Sequence, residues 1–386
     1  MSNSPRLARL IAAGTFALLS CAASASETPL SDCDGRFETV LHAGGARFDA
    51  RAIWLDGTRL RWPGMQADGV FKLYHARQGG IIARAGAPVA GHDRVLDLQA
   101  QSASDPARFH WTGPGAEFTL AQADRNLHQG QLVLVRQDSA GRVLDATRIQ
   151  AAGALDALFA DAAKESALGV TITENQTRFK LWAPTAQAVA VCRFDSGSSN
   201  SRARAVTPMQ RIEATGIWQA ATAGDASGGY YVYLVDVLVD GVGLVRNRVT
   251  DPYSISLTTD STRSYIGNLA SPRLMPESWQ GDRPPATVRA LPDMSVYELH
   301  VRDFSINDPS VPAAHRGKYA AFSDAGSNGM RHLAALARAG LSDIHLLPIY
   351  DIGSVPERGC LTPRPTGGPA SDAQQALVMR SADSDC

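Results

Sequence analysis

Short runs of apolar residues separated by turn-forming residues dominate the first part of the chain and predict β-strands. Segment 52–57 (AIWLDG) predicts a strand that enters a turn, and segment 70–74 (VFKLY) alternates as a half-buried strand does. Two further runs, 132–135 and 143–147, flank the sequence DSAG and predict a hairpin. The pattern of residues 37–150 therefore predicts an all-β domain of the sandwich type.

A second β-rich pattern begins near Gly169, after residues 155–166, whose amphipathic spacing predicts a connecting helix. Residues 177–184 (TRFKLWAP) predict a strand stopped by proline, and residues 188–192 (AVAVC) predict the next strand. The run 228–237 (GGYYVYLVDV) is rich in the β-branched and aromatic residues that favour strands. This succession of short strands predicts an immunoglobulin-like sandwich.

The pattern changes again in the last part of the chain. Residues 271–292 are rich in proline, with little periodicity, and predict a linker. Residues 294–301 predict a strand, and Ser327 is placed to cap a helix that ends at Gly340. The strongly apolar segment 343–350 predicts a second strand, and a β-α-β unit of this kind favours a parallel sheet buried on both faces.

Composition and charge narrow the functional class. The chain has 386 residues, 44% hydrophobic and 19% charged, which is typical of a soluble globular protein with two or three domains. The formal net charge of −1 lacks the basic surplus that nucleic-acid binding requires. The sequence also contains no Gly-x-Ser-x-Gly elbow and no phosphate-binding glycine loop after a strand. A neutral substrate or partner is consistent with this near-equal number of acidic and basic residues.

The N-terminus has the features of an export signal. Residues 1–25 combine a basic start, an apolar run too short for a secure membrane span, and a small-x-small sequence before Ser26. A second interpretation is a lipoprotein signal, because the sequence LLSC resembles a lipobox and would make Cys21 a lipidated N-terminus. Both interpretations predict a periplasmic or extracellular protein.

Export makes the remaining cysteines candidates for disulfide bonds. Cys360 and Cys386 are positioned to close one loop in an oxidising compartment. Cys33 and Cys192 are either a second pair or two small buried apolar residues, and the sequence leaves both alternatives open. Metal-ligand spacing and C-x-x-C pairs are absent from the sequence.

Five collinear segments resemble those of pullulanases and limit dextrinases. Segments 181–187 (LWAPTAQ) and 250–254 (TDPYS) resemble the start and the exit of the starch-binding-like sandwich of these enzymes. Segments 295–305 (SVYELHVRDFS), 315–322 (HRGKYAAF) and 345–352 (HLLPIYDI) resemble the first barrel strand, its following loop and the second barrel strand. Their order along the chain is more specific than any single motif.

This resemblance implies a multidomain organisation of two immunoglobulin-like β-sandwich domains followed by the start of a (β/α)8 barrel. We expect a signal peptide at 1–25 and an N-terminal β-sandwich at 26–160. A starch-binding-like module at 161–270 and a proline-rich linker at 271–293 follow. Residues 294–386 are expected to begin a catalytic barrel that the sequence does not complete.

The implied activity is hydrolysis of α-1,6-glucosidic branch points in pullulan, amylopectin or limit dextrins. Retaining hydrolysis of this kind uses two carboxyl groups about 5–5.5 Å apart. In the family these two groups and a third carboxylate lie at the ends of barrel strands four, five and seven, and such barrels need about 250 residues. We therefore expect no catalytic residue in this sequence, and no activity of the chain alone. The alternatives are a non-catalytic exported α-glucan-binding protein and a barrel with branching or trehalose-forming chemistry.

Four residues are weak candidates for substrate binding. Trp62 and Trp111 lie beside glycine and proline and are candidates for exposed platforms that stack on sugar rings. His300 and Asp351 follow the two predicted barrel strands, at the functional end of a parallel barrel. Trp182 is interpreted as core or interdomain packing, because most tryptophans of small sandwiches are buried.

No cofactor is expected from the sequence. Calcium occurs in some members of the family that the chain resembles, but no cluster of ligand residues supports it here. The expected partner is a branched α-glucan. Neither nucleic acid nor a membrane-spanning segment is expected, and the candidate membrane contact is a lipid on Cys21.

Overall fold

A computed structural model of the chain describes residues 28–102, 108–283, 288–347 and 349–350. The signal peptide expected at 1–25, together with Cys21, lies outside these residues, as do Asp351, Cys360 and Cys386.

The first half of the described chain consists of short strands, as the alternating pattern predicts. In chain order these are β1 (Glu38–Ala43), β2 (Ala52–Trp54), β3 (Arg59–Pro63), β4 (Val70–Ala76), β5 (Arg94–Asp97), β6 (Gln99–Gln101), β7 (Gly115–Thr119), β8 (Gln131–Gln137) and β9 (Val143–Gln150), followed by the helix α1 (Ala152–Leu158). Eight of them form one sheet in the order β5-β4-β8-β9-β2-β3-β7-β6. This sheet and α1 make up the first β domain.

Both faces of the first β domain's central strands are covered. Alternate residues of β8 point to opposite sides, so that Leu134 packs with Trp54 and Leu73 on one face. Val133 and Val135 pack in a separate cluster on the other face. A strand buried on both faces explains why the sequence of β8 is continuously apolar instead of alternating.

The second half of the described chain continues with strands up to residue 265. These are β10 (Gly169–Thr173), β11 (Gln176–Trp182), β12 (Ala188–Phe194), β13 (Ala205–Pro208), β14 (Gln210–Ile212), β15 (Ile217–Ala223), β16 (Tyr230–Val239), β17 (Gly243–Val249) and β18 (Ser264–Tyr265). One sheet has the order β1-β17-β16-β12-β13 with β18 beside β16, and the other has the order β10-β11-β15-β14. Together these two sheets form the second β domain.

The two sheets of the second β domain enclose an aromatic core, as an immunoglobulin-like sandwich does. On β11, Phe179 and Leu181 point into this core, whereas Arg178 and Lys180 point outward. Tyr231, on β16, contacts Phe179 edge-on, with ring centroids 5.1 Å apart.

The N-terminal strand β1 belongs to the second β domain, although the sequence analysis assigned residues 26–160 to the first. It pairs antiparallel with β17, whose other edge is occupied by β16. Cys33, just before β1, forms a disulfide with Cys192 of β12, with an S–S distance of 2.01 Å. The alternative that the sequence left open is thus decided in favour of a bond. The first β domain is therefore an insertion between β1 and β10.

The last described part of the chain is a β-α-β unit. It comprises β19 (Val296–Leu299), the short helix α2 (Val301–Ser305), α3 (Asn328–Arg338) and β20 (Asp343–Leu346). The predicted cap of α3 is confirmed, since the Ser327 hydroxyl accepts a hydrogen bond from the Met330 N–H at 3.2 Å. Strands β19 and β20 are parallel, as the sequence predicts, but the expected burial on both faces is not found, since five of their eight residues are exposed. Of the helices in the described ranges, none has the length and apolar character needed to cross a membrane.

The disulfide generates a stability prediction. Cys33 and Cys192 are 159 residues apart, and a cross-link that closes so long a loop stabilises the folded chain by about 5 kcal/mol in the chain-entropy model. We expect reduction, or the double substitution Cys33→Ser/Cys192→Ser, to lower the melting temperature clearly in calorimetry. The double variant should be insensitive to added reductant at this bond. A non-reducing peptide map that shows Cys33 and Cys192 as free thiols would contradict the assignment.

Candidate functional site

The loop that follows β11 holds the two β domains together. The side-chain amide of Gln187 donates hydrogen bonds to the main-chain carbonyls of Arg77 and Gln129, at 2.5 and 2.8 Å. In return, the Gln129 amide donates to the carbonyl of Ala186 at 2.6 Å. The LWAPTAQ segment therefore docks the first β domain onto the second.

A groove of about 590 Å³ opens where the end of the first β domain meets the second. We call it the junction groove. Its apolar lining comes from the connecting segment after β9 and from the second β domain, and consists of Leu155, Phe159, Ala160, Ala162, Ala163, Leu168, Trp182 and Tyr253. Polar groups at the groove belong to Asp156, Glu165 and Ser166. Its volume lies within the range of about 300–1,000 Å³ that ligand pockets occupy.

Trp182 presents an indole ring to the junction groove. It is the last residue of β11 and shares the outer face of that strand with Arg178 and Lys180, and 37% of its surface is exposed. The indole N–H donates to the carbonyl of Thr215 at 3.0 Å. This hydrogen bond fixes the edge of the ring and satisfies its single polar group, so that the ring face remains available for contacts.

Tyr253 is held at the groove by a buried carboxylate. The Asp251 side chain accepts hydrogen bonds from the Tyr253 N–H at 2.8 Å and from the hydroxyls of Tyr231 and Tyr233 at 2.7 and 3.0 Å. Burial raises the pKa of Asp251 above its usual value, although these three donors oppose the shift. Burial also raises the pKa values of both core tyrosines, which remain donors. The TDPYS motif is thus a support for Tyr253, of which 46% is exposed.

An ion pair holds the connecting segment, which forms one wall of the junction groove, against β11. The Lys180 ammonium lies 2.5 Å from a carboxylate oxygen of Glu165, and the Ala167 N–H donates to the other oxygen at 2.9 Å. Lys180 is thereby the main cause of the lowered pKa of the Glu165 carboxyl, and the hydrogen bond from Ala167 adds to it. The connecting segment is thus clamped against the outer face of β11, beside Trp182.

The structure separates the two tryptophans that the sequence proposed as platforms. Trp62 is 1% exposed, because β3 points it into the core, where its ring lies 6.3 Å from that of Phe71. Trp62 is therefore not an exposed platform, and this expectation was wrong. Trp111 is 65% exposed, in the short 3-10 helix His110–Thr112. Arg61, which is paired with Glu117 at 2.7 Å, supports this turn by donating to the carbonyl of Phe109 at 3.1 Å. Neither tryptophan lines the junction groove.

The candidates from the predicted barrel start lie elsewhere in the molecule. The His300 imidazole accepts from the Asp303 N–H at 3.4 Å and caps α2, so its position is that of a strand-end residue. Glu298 of β19 lies opposite His345 of β20, with 3.0 Å between a carboxylate oxygen and Nδ1. Asp351 lies outside the described residues.

Sequence reasoning missed both aromatic residues of the groove. The sequence predicts core or interdomain packing for Trp182, and Tyr253 enters only as part of the TDPYS motif. The alternation along β11 carried a signal for Trp182, because it falls on the polar face of Arg178 and Lys180. Strand alternation says nothing about Tyr253, whose position depends on the buried Asp251.

A second polar cluster lies buried in the first β domain. The His128 ring packs on Trp54 with centroids 4.6 Å apart, and neither ring nitrogen has a hydrogen-bond partner within the described chain. Burial lowers the pKa of His128 to about 4, partly opposed by Asp124. Nearby His75 is paired with Asp93 at 2.6 Å. Over the described ranges, no group of three or more His, Cys, Asp or Glu side chains is arranged to hold a metal ion.

Both β domains are similar to domains of known proteins. Residues 49–157 match the Pullulanase N2 domain, and residues 167–254 match carbohydrate-binding module 48, the isoamylase N-terminal domain. The chain is 35% identical to the chloroplastic pullulanase 1 of Arabidopsis thaliana, over 79% of this chain and 32% of that protein. It is 33% identical to a pullulanase of Klebsiella pneumoniae, over 84% of this chain and 30% of that protein.

The chain is also similar to solved structures of pullulanases. The crystal structure of apo pullulanase from Klebsiella pneumoniae matches with a TM-score of 0.71 and 33% identity, over 82% of this chain and 34% of that one. A crystal structure of Klebsiella pneumoniae pullulanase complexed with maltotriose matches with a TM-score of 0.71 and 32% identity, over 82% of this chain and 30% of that one. The chain spans less than half of the length of each of these relatives.

The support of Tyr253 by Asp251 is testable by substitution. Asp251→Ala leaves the buried hydroxyls of Tyr231 and Tyr233 without their acceptor, and we expect it to destabilise the protein by about 2–4 kcal/mol. Asp251→Asn, which keeps one acceptor oxygen, should cost less. Urea unfolding measures both. The control is Asp225→Ala, which removes an exposed carboxylate from a turn; an equal loss in the control would contradict the role of Asp251.

The buried His128 predicts a pH dependence of stability. Its pKa is about 4 in the folded protein and about 6.5 unfolded, so the unfolded state binds more protons between these values. Stability should therefore fall as the pH is lowered from about 6.5 to about 4, by up to roughly 3 kcal/mol from this group. In His128→Gln this part of the pH dependence should disappear from urea unfolding series. Parallel curves for both proteins would refute the assignment.

Proposed function

We propose that this chain, which belongs to the pullulanase family by its Pullulanase N2 domain and carbohydrate-binding module 48, is part of a glycoside hydrolase that acts on α-glucans. The observation that carries the proposal is the collinear match of both domains, and a solved pullulanase structure that matches over 82% of this chain supports it. Because the chain spans only part of the length of these relatives, hydrolysis is a proposal for the whole protein.

The finer proposal concerns the bond and the stereochemistry. We propose cleavage of α-1,6 branch points in pullulan, amylopectin or limit dextrins with retention of configuration, by two carboxyl groups about 5–5.5 Å apart. The parallel unit of β19, α3 and β20 supports a barrel as the catalytic scaffold, because (β/α)8 barrels repeat such units. No acid–base pair is proposed on β19, since Glu298 is engaged by His345.

The location of the protein is also a proposal. The Cys33–Cys192 disulfide supports an oxidising compartment, because such bonds persist in the periplasm and outside the cell and are rare in the cytosol. The disulfide and the expected signal peptide both support export. The exported protein is proposed to be either soluble or anchored by a lipid on Cys21.

A non-catalytic role as an α-glucan-binding protein is the second candidate. The observation that favours it is the junction groove, where two partly exposed aromatic residues lie beside polar groups. This role needs no barrel. The two candidate functions therefore differ in whether a longer polypeptide hydrolyses α-glucans.

The experiment compares this chain with a version extended to the next in-frame stop. Binding to pullulan and amylopectin is measured by affinity electrophoresis, with cellulose as the control polysaccharide, and hydrolysis is measured as reducing ends released from pullulan. We expect both proteins to bind the α-glucans and only the extended version to hydrolyse pullulan. Binding by both without hydrolysis by either would favour the non-catalytic role. Failure of both to bind would overturn both candidates.

A further inference from the structure

We propose that the junction of the two β domains is acid-sensitive: protonation of the buried His128 releases the segment Arg125–Gln129 and, with it, the docking of the first β domain onto the second. We call this segment, a short 3-10 helix between β7 and β8, the docking turn. The proposal goes beyond the hydrolase function, because it concerns how the two domains are held together and not which reaction the protein performs.

The docking turn carries several of the hydrogen bonds that join the two β domains. The side-chain oxygen of Asn126 accepts a hydrogen bond from the Arg211 guanidinium of β14 at 3.1 Å. The Gln129 side chain donates to the Ala186 carbonyl at 2.6 Å, and the Gln129 carbonyl accepts from the Gln187 amide at 2.8 Å. A movement of the docking turn therefore breaks contacts with the second β domain.

The same turn is anchored in the core of the first β domain. Leu127 is fully buried in the main core cluster, and the ring of the buried His128 packs on Trp54 of β2 with centroids 4.6 Å apart. At the start of the turn, the Arg125 guanidinium donates to the Leu158 carbonyl at 2.8 Å. The turn thus keeps its docked position only while the His128 ring stays buried.

The surroundings of His128 accept a neutral ring and oppose a charged one. Burial is the main cause that lowers its pKa to about 4; Asp124 opposes the shift and His75 adds to it. Within the part of the chain that the structure describes, both ring nitrogens of His128 lack a hydrogen-bond partner, as do the Trp54 indole nitrogen and Nε2 of His75. A protonated His128 ring would bury a charge and two unpaired N–H donors, which favours its movement into water.

His75, unlike His128, has a carboxylate partner. Its Nδ1 lies 2.6 Å from one oxygen of Asp93, whose other oxygen accepts from the Arg77 N–H at 2.6 Å. Burial disfavours the ionised form of Asp93, but these hydrogen bonds outweigh it and lower the pKa of that carboxyl. A positive charge on His75 is therefore compensated at hydrogen-bond distance, whereas one on His128 is not.

Asp124 does not change this balance as the pH falls to about 4. Burial disfavours its ionised form, but hydrogen bonds from the Arg94 guanidinium and the Asn126 N–H, both at 2.9 Å, outweigh that effect and lower its pKa. The carboxylate therefore stays largely ionised above about pH 4 and continues to cap the docking turn. The uncompensated charge that appears at the turn on acidification is thus the charge on His128.

Proton linkage gives the direction and the size of the effect. The pKa of His128 is about 4 in the docked form, and in the released form, with the ring in water, it returns to about 6.5. The released form binds more protons between these values, so release becomes more favourable as the pH falls. The equilibrium constant for opening should rise about twentyfold between pH 7 and pH 5 and approach about 200-fold below pH 4.

The test is hydrogen exchange of the purified chain, measured by mass spectrometry between pH 7 and pH 5 and corrected for the intrinsic pH dependence of exchange. Two segments report on release: the docking turn, and the loop 183–187 of the second β domain, in which Ala186 is fully buried. We expect the corrected exchange of both to accelerate about twentyfold at pH 5. Strand β16, in the centre of its sheet, should show no such acceleration.

Substitutions assign the effect to one side chain. His128→Gln and His128→Phe remove the titrating group, and both should abolish the acceleration in both segments. The matched control is His42→Gln, which removes an exposed histidine of β1 and should leave the acceleration unchanged. Gln187→Ala removes the docking amide and should accelerate exchange of the loop 183–187 already at pH 7.

Three outcomes would overturn the proposal. The first is a flat pH profile of the unaltered chain, a result that needs no folded variant. The second is acceleration that persists in both His128 variants. The third is acceleration of the docking turn alone, since the turn would then open while the domains stay docked. Each of these results leaves the hydrolysis of pullulan untouched, so the proposed function is tested separately.

Discussion

The hydrogen bonds of Gln187 across the domain junction are the contact on which the rest of the architecture depends. Its amide joins two main-chain carbonyls of the first β domain, at Arg77 and Gln129, to the loop that ends β11. Both bonds start from one side-chain amide and reach two separate segments of the first β domain, so they define one docked arrangement, although the contact with Arg77 is exposed and that with Gln129 is partly buried. Trp182 is the last residue of β11, directly before this loop, and the geometry of the junction groove therefore follows from the docking.

Chain topology reinforces this arrangement. The chain begins its described part in the second β domain, leaves it to build the first, and returns at β10. Strand β1 and the Cys33–Cys192 disulfide secure the point of departure. The ion pair of Lys180 and Glu165 secures the point of return. With both crossings tied down, the first β domain is held as an insertion whose freedom to move relative to its neighbour is restricted.

The junction groove and the β-α-β unit have different proposed roles, the first in glucan binding and the second in catalysis. A parallel pair such as β19 and β20 is the element from which a barrel active site is built. Binding of a polymeric substrate gains from a second contact on the same molecule, because one bound segment raises the effective concentration of the others near the catalytic unit. In the proposed α-glucan hydrolase, the two roles complement each other.

The sequence by itself determined the elements and the family. Alternation along β11, the apolar run of β8, and the cap at Ser327 are local signals, and each predicted its element correctly. Motif order identified the pullulanase resemblance without any structure. These predictions succeeded because strand period, helix capping and turn chemistry depend on residues a few positions apart.

Only the tertiary structure decided which residues form a site. The contact between Gln187 and Arg77 spans 110 positions, and the disulfide spans 159, so no local pattern encodes either. Local sequence also failed to predict the burial of Trp62. Its neighbours in sequence indicate an exposed side chain, but packing across the strands buries it. Which face of a strand is covered depends on the partner that folds over it, and that partner is distant in sequence.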